Sequence, residues 1–232
     1  MKTAKKTFSA VTILIFIFVT GTSFGQNQKF GFKAGVTLSD IKSVMTLPEI
    51  NPGSIDPYSG KSKVTGFCIF ASYDVIKNKF LTLSGEAGYV RKGFKYNTET
   101  QNGNGEITGK GSIKNSFSYI DLSANVKFIL RKKTVSPYIS VTPVLGIYLG
   151  NSTTVTGDKD SISMNNDVIV FDNLNTISFG TKIGAGAEIY GLIKNIPVVL
   201  ECRYNPDLID VYNKQNETIR NRTIEFNIGI KF

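Results

Sequence analysis

Apolar and polar residues alternate along much of the chain, and the last segment shows this pattern most clearly. From Ile224 to Phe232 every even position is apolar, and every odd position is polar or glycine. A period of two residues is typical of a β-strand with one apolar and one polar face. The segment therefore predicts a strand that presents a row of apolar side chains on one side.

Seven earlier segments repeat this alternation, and no helical period persists over about ten residues beyond residue 25. The eight predicted strands are Phe30–Leu38, Thr65–Tyr73, Leu81–Tyr89, Tyr119–Phe128, Tyr138–Tyr148, Ile177–Ile189, Val198–Asn205 and Ile224–Phe232. The sequence therefore predicts an all-β fold.

The two faces of these strands differ in charge. The apolar faces carry no formal charge, whereas the opposite faces carry five bases and five acids: Lys33, Glu86, Asp121, Lys127, Lys182, Glu188, Glu201, Arg203, Glu225 and Lys231. A lysine or arginine facing lipid at mid-membrane costs about 2–4 kcal/mol, so a charge-free face favours a membrane exterior. The interior of a barrel of about eight strands is just wide enough for side chains to fill it. We therefore expect the ten charges to form a structural ion-pair network inside an eight-stranded antiparallel transmembrane β-barrel.

The connections alternate in length, which supports an up-and-down meander. The long ones are Ser39–Lys63, Lys92–Phe117, Asn151–Thr176 and Pro206–Asn221, and the short ones are Asp74–Lys79, Arg131–Pro137 and Gly191–Pro197. Outer-membrane barrels combine long extracellular loops with short periplasmic turns. The polar, glycine-rich and proline-containing long connections favour mobile, solvated loops. The segment Asp167–Phe171 is a mainly apolar patch that is expected to extend a hairpin above the membrane.

Aromatic residues and one proline add detail to the predicted barrel. Aromatic residues fall at both ends of the predicted strands, as in the interfacial girdles of such barrels: Phe30, Tyr73, Phe80, Phe128, Tyr138, Tyr190 and Phe232 at the periplasmic side, and Tyr89, Tyr148 and Tyr204 at the other. Pro143 lies inside the fifth strand, where a closed barrel has no edge for its missing donor, so we expect a local bulge.

The N-terminus predicts export. A basic start at Met1–Lys6, an apolar run from Phe8 to Val19 and the small residues Ser23 and Gly25 are typical of a secretory signal peptide. We expect residues 1–25 to be removed, which leaves residues 26–232 as one barrel domain. Three lysines leave with the signal, so the formal charge falls from +9 to +6. This charge is compatible with anionic lipid, and no clustered basic helix favours nucleic acid.

The residue types present exclude several chemistries. The chain has no histidine, which removes Ser-His and Cys-His nucleophilic catalysis and leaves only poor zinc ligand sets. Its two cysteines, Cys68 and Cys202, fall on opposite faces of strands that are not neighbours, so we expect packing roles rather than a disulfide.

Two motifs have a catalytic and a structural interpretation. Glu86 and Asp121 lie on neighbouring strands, where paired carboxylates can perform acid/base chemistry, but balanced interior charge already explains them. Gly184-Ala185-Gly186 lies inside a strand with no helix after it, which favours room for a large neighbour over a nucleotide loop. We expect no catalytic, cofactor or metal site.

Several short motifs resemble one known family. These are Phe30 to Ser39, Gly85 to Tyr89, Lys92-Gly93-Phe94 and Tyr119 to Leu122, with Pro137-Tyr138, Gly184 to Gly186 and Glu201 to Tyr204 further along. Together they resemble the small outer-membrane β-barrel family of Bacteroidetes, often called porin-family or PorT-like. Ser123 departs from the proline that often follows the acidic residue of the fourth strand there. The resemblance implies the fold and the outer membrane but no single activity.

Three classes of function remain open. The first is a non-enzymatic outer-membrane barrel that acts through its outer loops on surface or protein partners. The second is a narrow pore or an accessory of transport or secretion, which conductance in a planar bilayer would identify. The third is a soluble lipocalin-like barrel with its apolar face turned inward around a ligand.

The resemblance also implies that the last strand is the insertion signal recognised by the barrel-assembly machinery, with Phe226, Ile228, Ile230 and Phe232 facing lipid. We predict that deletion of Phe232 lowers the amount of protein assembled in the outer membrane, measured by heat-modifiable gel mobility of membrane fractions. Normal levels of the assembled, truncated protein would contradict this role.

Overall fold

The computed structural model of the chain describes residues 30–45, 61–101, 107–132, 134–157, 175–193, 196–208, 212–214 and 217–232. The predicted signal peptide and the Asp167–Phe171 segment lie outside these residues. The strands are β1 (Phe30–Met45), β2 (Lys61–Lys77), β3 (Leu81–Gln101), β4 (Ile107–Ile129), β5 (Val135–Gly157), β6 (Ile177–Ile193), β7 (Ile196–Pro206), β8 (Tyr212–Lys214) and β9 (Glu217–Lys231). Within the described residues, no helix has the length and apolar character to span a membrane.

The strands close into a ring, which confirms the predicted eight-stranded antiparallel barrel. Each of β1 to β7 pairs with its neighbour in chain order, β7 pairs with β9, and β9 pairs with β1. The closing pair runs in unbroken register from Gly31 opposite Lys231 to Met45 opposite Glu217. The three-residue β8 pairs only with the start of β9 and extends the wall above β7. The ring thus leaves no strand edge at its seam.

The alternation of faces is as predicted. Apolar side chains on the predicted lipid-facing side are exposed, for example Ile139, Ile183 and Ile228, which are 63%, 58% and 59% exposed. The opposite face is buried in the interior of the ring. This arrangement is the reverse of a lipocalin-like barrel, in which the apolar face surrounds a ligand.

Short turns join the strands at one end of the barrel, which we call the turn end, and long connections join them at the other, the loop end. The turns between β2 and β3, β4 and β5, and β6 and β7 occupy only residues 78–80, 130–134 and 194–195. At the loop end the prediction of mobile loops is wrong for long stretches, which form strands. β3 continues to Gln101, β4 begins at Ile107, and β5 continues to Gly157. In these stretches the sequence no longer alternates between apolar and polar residues, but the backbone hydrogen bonds between the strands continue.

Pro143 is accommodated without the predicted bulge. The register between β4 and β5 is the same on both sides of it, with Ser123 opposite Val144 and Val126 opposite Val141. The ladder lapses only opposite Pro143 and its neighbour, while Pro143 still faces Thr181 on β6. The absence of an N–H on Pro143 has therefore interrupted the β4–β5 pairing locally, without the extra residue that a bulge would insert. The irregularity in this pair lies instead between Ser118 and Tyr119.

The aromatic and cysteine predictions hold in part. Phe30 packs on Tyr73 with ring centroids 4.9 Å apart, and Phe32 packs on Phe232 at 5.8 Å, which agrees with an aromatic girdle at the turn end. Tyr138 departs from it because its side chain is buried inside the barrel. Both cysteines are free, Cys68 buried and Cys202 exposed.

A charge on the exposed face should destabilise the barrel only within the membrane. We predict that Ile183→Lys lowers the free energy of unfolding in lipid vesicles by about 2–4 kcal/mol, because a lysine near the bilayer midplane is poorly solvated. The matched control is Thr156→Lys, at an exposed position near the loop end of β5. Equal losses for the two variants would contradict the assigned lipid-facing surface.

Candidate functional site

The interior of the barrel holds every charged residue that the sequence placed on the polar face. All ten are buried, and three further charged residues, Asp74, Lys92 and Asp207, are buried with them. Six bases and seven acids among the described residues thus share one interior. A buried charge is tolerated only when it is paired, so the contacts between these groups determine what the interior can do.

A four-residue cluster occupies the centre of this network. The two terminal nitrogens of Arg203 on β7 lie 2.7 Å from Glu86 Oε2 and 2.7 Å from Glu201 Oε2. Lys33 Nζ on β1 lies 2.8 Å from Glu86 and 2.9 Å from Glu201. Asn125 Nδ2 also donates to Glu86 Oε1 at 2.8 Å. Two cations and two carboxylates therefore neutralise each other and join β3 to β7 across the lumen.

A buried aromatic ring lies next to this cluster. Phe70 is fully buried, and three cations lie near its ring centroid: Lys182 at 4.5 Å, Lys33 at 5.7 Å and Arg203 at 5.8 Å. The negative face of an aromatic ring attracts cations at such distances. Phe70 therefore fills the lumen and also stabilises the positive groups around it.

Two smaller groups lie toward the loop end. Lys182 Nζ lies 3.0 Å from Asp121 and 2.8 Å from Glu225, which connects β6 with β4 and β9. Lys92 Nζ lies 3.1 Å from Asp207 and 5.1 Å from the centroid of the Tyr119 ring. The ion pairs of Lys182 connect strands that are not neighbours in the sheet, whereas the Lys92–Tyr119 contact joins the paired strands β3 and β4.

Another group occupies the turn end. Lys231 Nζ lies 2.9 Å from Asp74 and 2.9 Å from Glu188, and the hydroxyl of Tyr190 donates to Glu188 at 2.8 Å. Lys127 Nζ lies over the Tyr138 ring, 4.9 Å from its centroid. Charged and aromatic side chains from all around the ring therefore extend through the lumen from the turn end to the loop end.

Two glycines on β6 make room for large interior neighbours. A Cβ on Gly184 would lie 2.9 Å from the Arg203 side chain, and one on Gly186 would lie 2.6 Å from the Tyr138 hydroxyl. The Gly184-Ala185-Gly186 motif is thus part of a strand, and its glycines admit an arginine and a tyrosine, as the structural interpretation predicted.

The arrangement is suited to packing rather than to proton transfer. Glu86 and Asp121 do not form a carboxylate pair, because Glu86 binds Lys33 and Arg203 whereas Asp121 binds Lys182. A carboxylate held by cations is a poor general base. Among the described residues, no group of three or more histidine, cysteine, aspartate or glutamate side chains is placed to hold a metal ion.

The sequence prediction missed Asp74, Lys92 and Asp207 because it ended the strands too early. Each has the same parity as the interior residues of its strand: Asp74 follows Ser72, Lys92 follows Val90, and Asp207 follows Asn205. Continuing the alternation by one or two further steps would have found all three.

Comparison with known families identifies one match. The family described as outer membrane protein beta-barrel domain matches residues 24–213. That match spans β1 to β7 and therefore includes most of the charged interior. No curated protein sequence matches the chain.

Solved structures of other outer-membrane proteins resemble this one at low sequence identity. Neisserial surface protein A is 16% identical, with a TM-score of 0.44 over 87% of this chain and 95% of that chain. Ail, the attachment invasion locus protein of Yersinia pestis, is 13% identical, with a TM-score of 0.37 over 88% and 98%. The outer membrane protease OmpT from Escherichia coli is 10% identical, with a TM-score of 0.45 over 91% and 99%. At these identities the likeness concerns the fold alone.

Removal of the central cation should be costly. We predict that Arg203→Ala lowers the free energy of unfolding by about 3–5 kcal/mol, because Glu86 and Glu201 would remain buried with only Lys33 between them. Urea-induced unfolding in lipid vesicles measures the difference.

The control for this variant is Arg222→Ala. Arg222 forms a 3.2 Å ion pair with Asp40, but its side chain is 43% exposed. An exposed pair contributes at most about 1 kcal/mol. A loss for Arg203→Ala no larger than that for Arg222→Ala would show that the interior pairs are dispensable.

Proposed function

Because the chain belongs to the outer membrane protein beta-barrel domain family, we propose that it is a non-enzymatic membrane anchor that interacts with its surroundings through the loop end. Residence in the outer membrane follows from the family. The short sequence motifs support a place in the PorT-like group of Bacteroidetes, and the basic-apolar N-terminus supports export through a cleaved signal peptide of residues 1–25.

The observation that carries the proposal is the uneven height of the wall at the loop end. A strand needs only about 9–11 residues to span a membrane, and β7 has 11, whereas β4 and β5 each have 23. β5 pairs with β6 only as far as Ile147, and β3 pairs with β2 only as far as Tyr96. Residues 97–101, 107–118 and 150–157 therefore form a three-stranded sheet, here called the projecting sheet, that rises above the described residues of β2 and β6.

The projecting sheet is suited to contact with a partner. Residues 151–157 of β5 are all exposed, and β4 supports them along their length in paired register. Lys95 and Lys114 face each other across the base of the hairpin formed by β3 and β4. A polar surface on rigid strands loses little conformational entropy when it binds. The short turns at the other end offer no comparable surface among the described residues.

The filled lumen supports a closed barrel over a pore. The Arg203–Glu86 ion pair crosses the ring from β7 to β3, and the pairs of Lys33 and Lys182 each bridge strands that are not neighbours. The side chains of these pairs are buried. Opening a path for ions would require these pairs to separate inside the membrane. The interior charges therefore serve as structural fillers in this proposal. The lack of histidine and the engagement of the interior carboxylates support a non-enzymatic role.

The hairpin can be shortened without disturbing the barrel, which provides the test. Tyr96 lies opposite Ile113, so residues 97–112 can be replaced by an Asn-Gly turn in register. In a host strain that lacks the native protein, we expect the shortened chain to assemble with unchanged heat-modifiable mobility. We also expect cells that express it to lose the adherence to surfaces and to one another that the full chain restores.

The matched control replaces only residues 102–106, which join β3 to β4, and keeps both strands of the hairpin. This variant should retain the adherence of the full chain. Full adherence with the longer replacement would contradict a role for the projecting sheet. Stable conductance steps from the purified full chain in planar bilayers would instead support the pore.

A further inference from the structure

An apolar groove lies on the lipid-facing surface near the turn end, beside the paired ends of β4 and β5. Its volume is about 360 Å³. Its exposed walls include Phe80, Phe128, Leu130, Pro137 and Ile139. These residues come from two different turns and from both strands, so the groove is a feature of the folded barrel rather than of one segment.

Hydrogen bonds fix the shape of this groove. The backbone nitrogen of Ile129 donates to the carbonyl of Phe80 at 2.9 Å, and that of Leu130 donates to the carbonyl of Pro137 at 2.9 Å. Arg131 Nε donates to the carbonyl of Asn78 at 3.0 Å, which ties the two turns together. A groove fixed in this way needs little rearrangement to bind a ligand.

The chain segments that form the groove are basic. Residues 76–80 and 129–137 contain five bases, Lys77, Lys79, Arg131, Lys132 and Lys133, and no acid. Lys79 Nζ lies 5.3 Å from the centroid of the Phe80 ring, and Lys132 is exposed. The nearby Asp74 does not offset these charges, because its carboxylate lies inside the barrel 2.9 Å from Lys231.

We propose that this groove is a binding site for one anionic phospholipid from the leaflet at the turn end. An acyl chain lies against Phe128, Leu130 and Ile139, and the phosphate lies beside Lys79 and Lys132. Charge complementarity selects this occupant, because basic residues at a membrane surface attract anionic lipid headgroups while the apolar walls exclude a polar chain. The proposal rests on the membrane location proposed above.

Native mass spectrometry of the full chain, released from detergent micelles, tests the site. The probes are phosphatidylglycerol and phosphatidylcholine with identical acyl chains. We expect one phosphatidylglycerol to be retained per chain in preference to phosphatidylcholine. The double variant Lys79→Gln/Lys132→Gln should reduce that preference by about tenfold or more, since each basic residue near the surface contributes about 1 kcal/mol.

Two further variants separate charge from shape. Lys63→Gln/Arg222→Gln removes two exposed charges near the loop end and should leave the preference unchanged. Leu130→Trp fills the groove and should reduce the retention of both lipids. Heat-modifiable mobility establishes that each variant is folded before its lipids are measured.

Equal retention of the two lipids by the full chain would overturn the proposal, and so would equal losses from the two double variants. Glycerol phosphate that competes as well as the intact lipid would also overturn it, because no acyl chain would then be needed. Failure of the proposed membrane location gives a different result, namely the absence of a heat-modifiable species from the outer membrane.

Discussion

The neutralisation of charge inside a narrow ring is the constraint on which the rest of this structure depends. The sheet turns its apolar face outward, so every charged group on the other face must find a partner within the lumen. Arg203 meets this requirement with two carboxylates from different strands, and Lys33 shares both of them. The positions of Gly184 and Gly186 follow from it, because the partners need space to reach each other.

The same constraint leaves surface for interactions mainly at the two ends of the barrel. In the middle, both faces are occupied by lipid contact and interior pairing, and little surface remains for interaction with soluble partners. Toward the loop end, β3, β4 and β5 continue beyond their neighbours and acquire faces that water can reach. Toward the turn end, short connections bring bases next to exposed aromatic residues such as Phe80. Recognition is therefore expected at the two rims.

The sequence predicted the strands and their faces because burial imposes a period of two that is visible in the residues themselves. It predicted neither the full length of β4 nor the partners of Lys182. Where both faces of a hairpin are in water, the pattern loses contrast although the backbone still pairs. Alternation also predicts which face a side chain occupies but not its position along the barrel axis. Two interior charges pair only when their positions along that axis match. Pro143 shows a third limit of the sequence pattern. Whether a proline disturbs a strand depends on which neighbouring strand its missing N–H would have bonded, and the alternation does not reveal this.

The contact between Lys33 and Glu201 joins residues 168 positions apart in the chain. β1 emerges first during synthesis, and β7 emerges near the end. Before the ring closes, Lys33 lacks Glu201 as a partner and does not yet lie beside Arg203. An incomplete sheet that entered the membrane would therefore expose unpaired charged side chains to lipid. Closure and entry into the bilayer are thus thermodynamically coupled. The interior charges therefore make insertion of an unclosed barrel energetically unfavourable. Insertion becomes favourable only when the first and last strands have paired and the charges have found their partners.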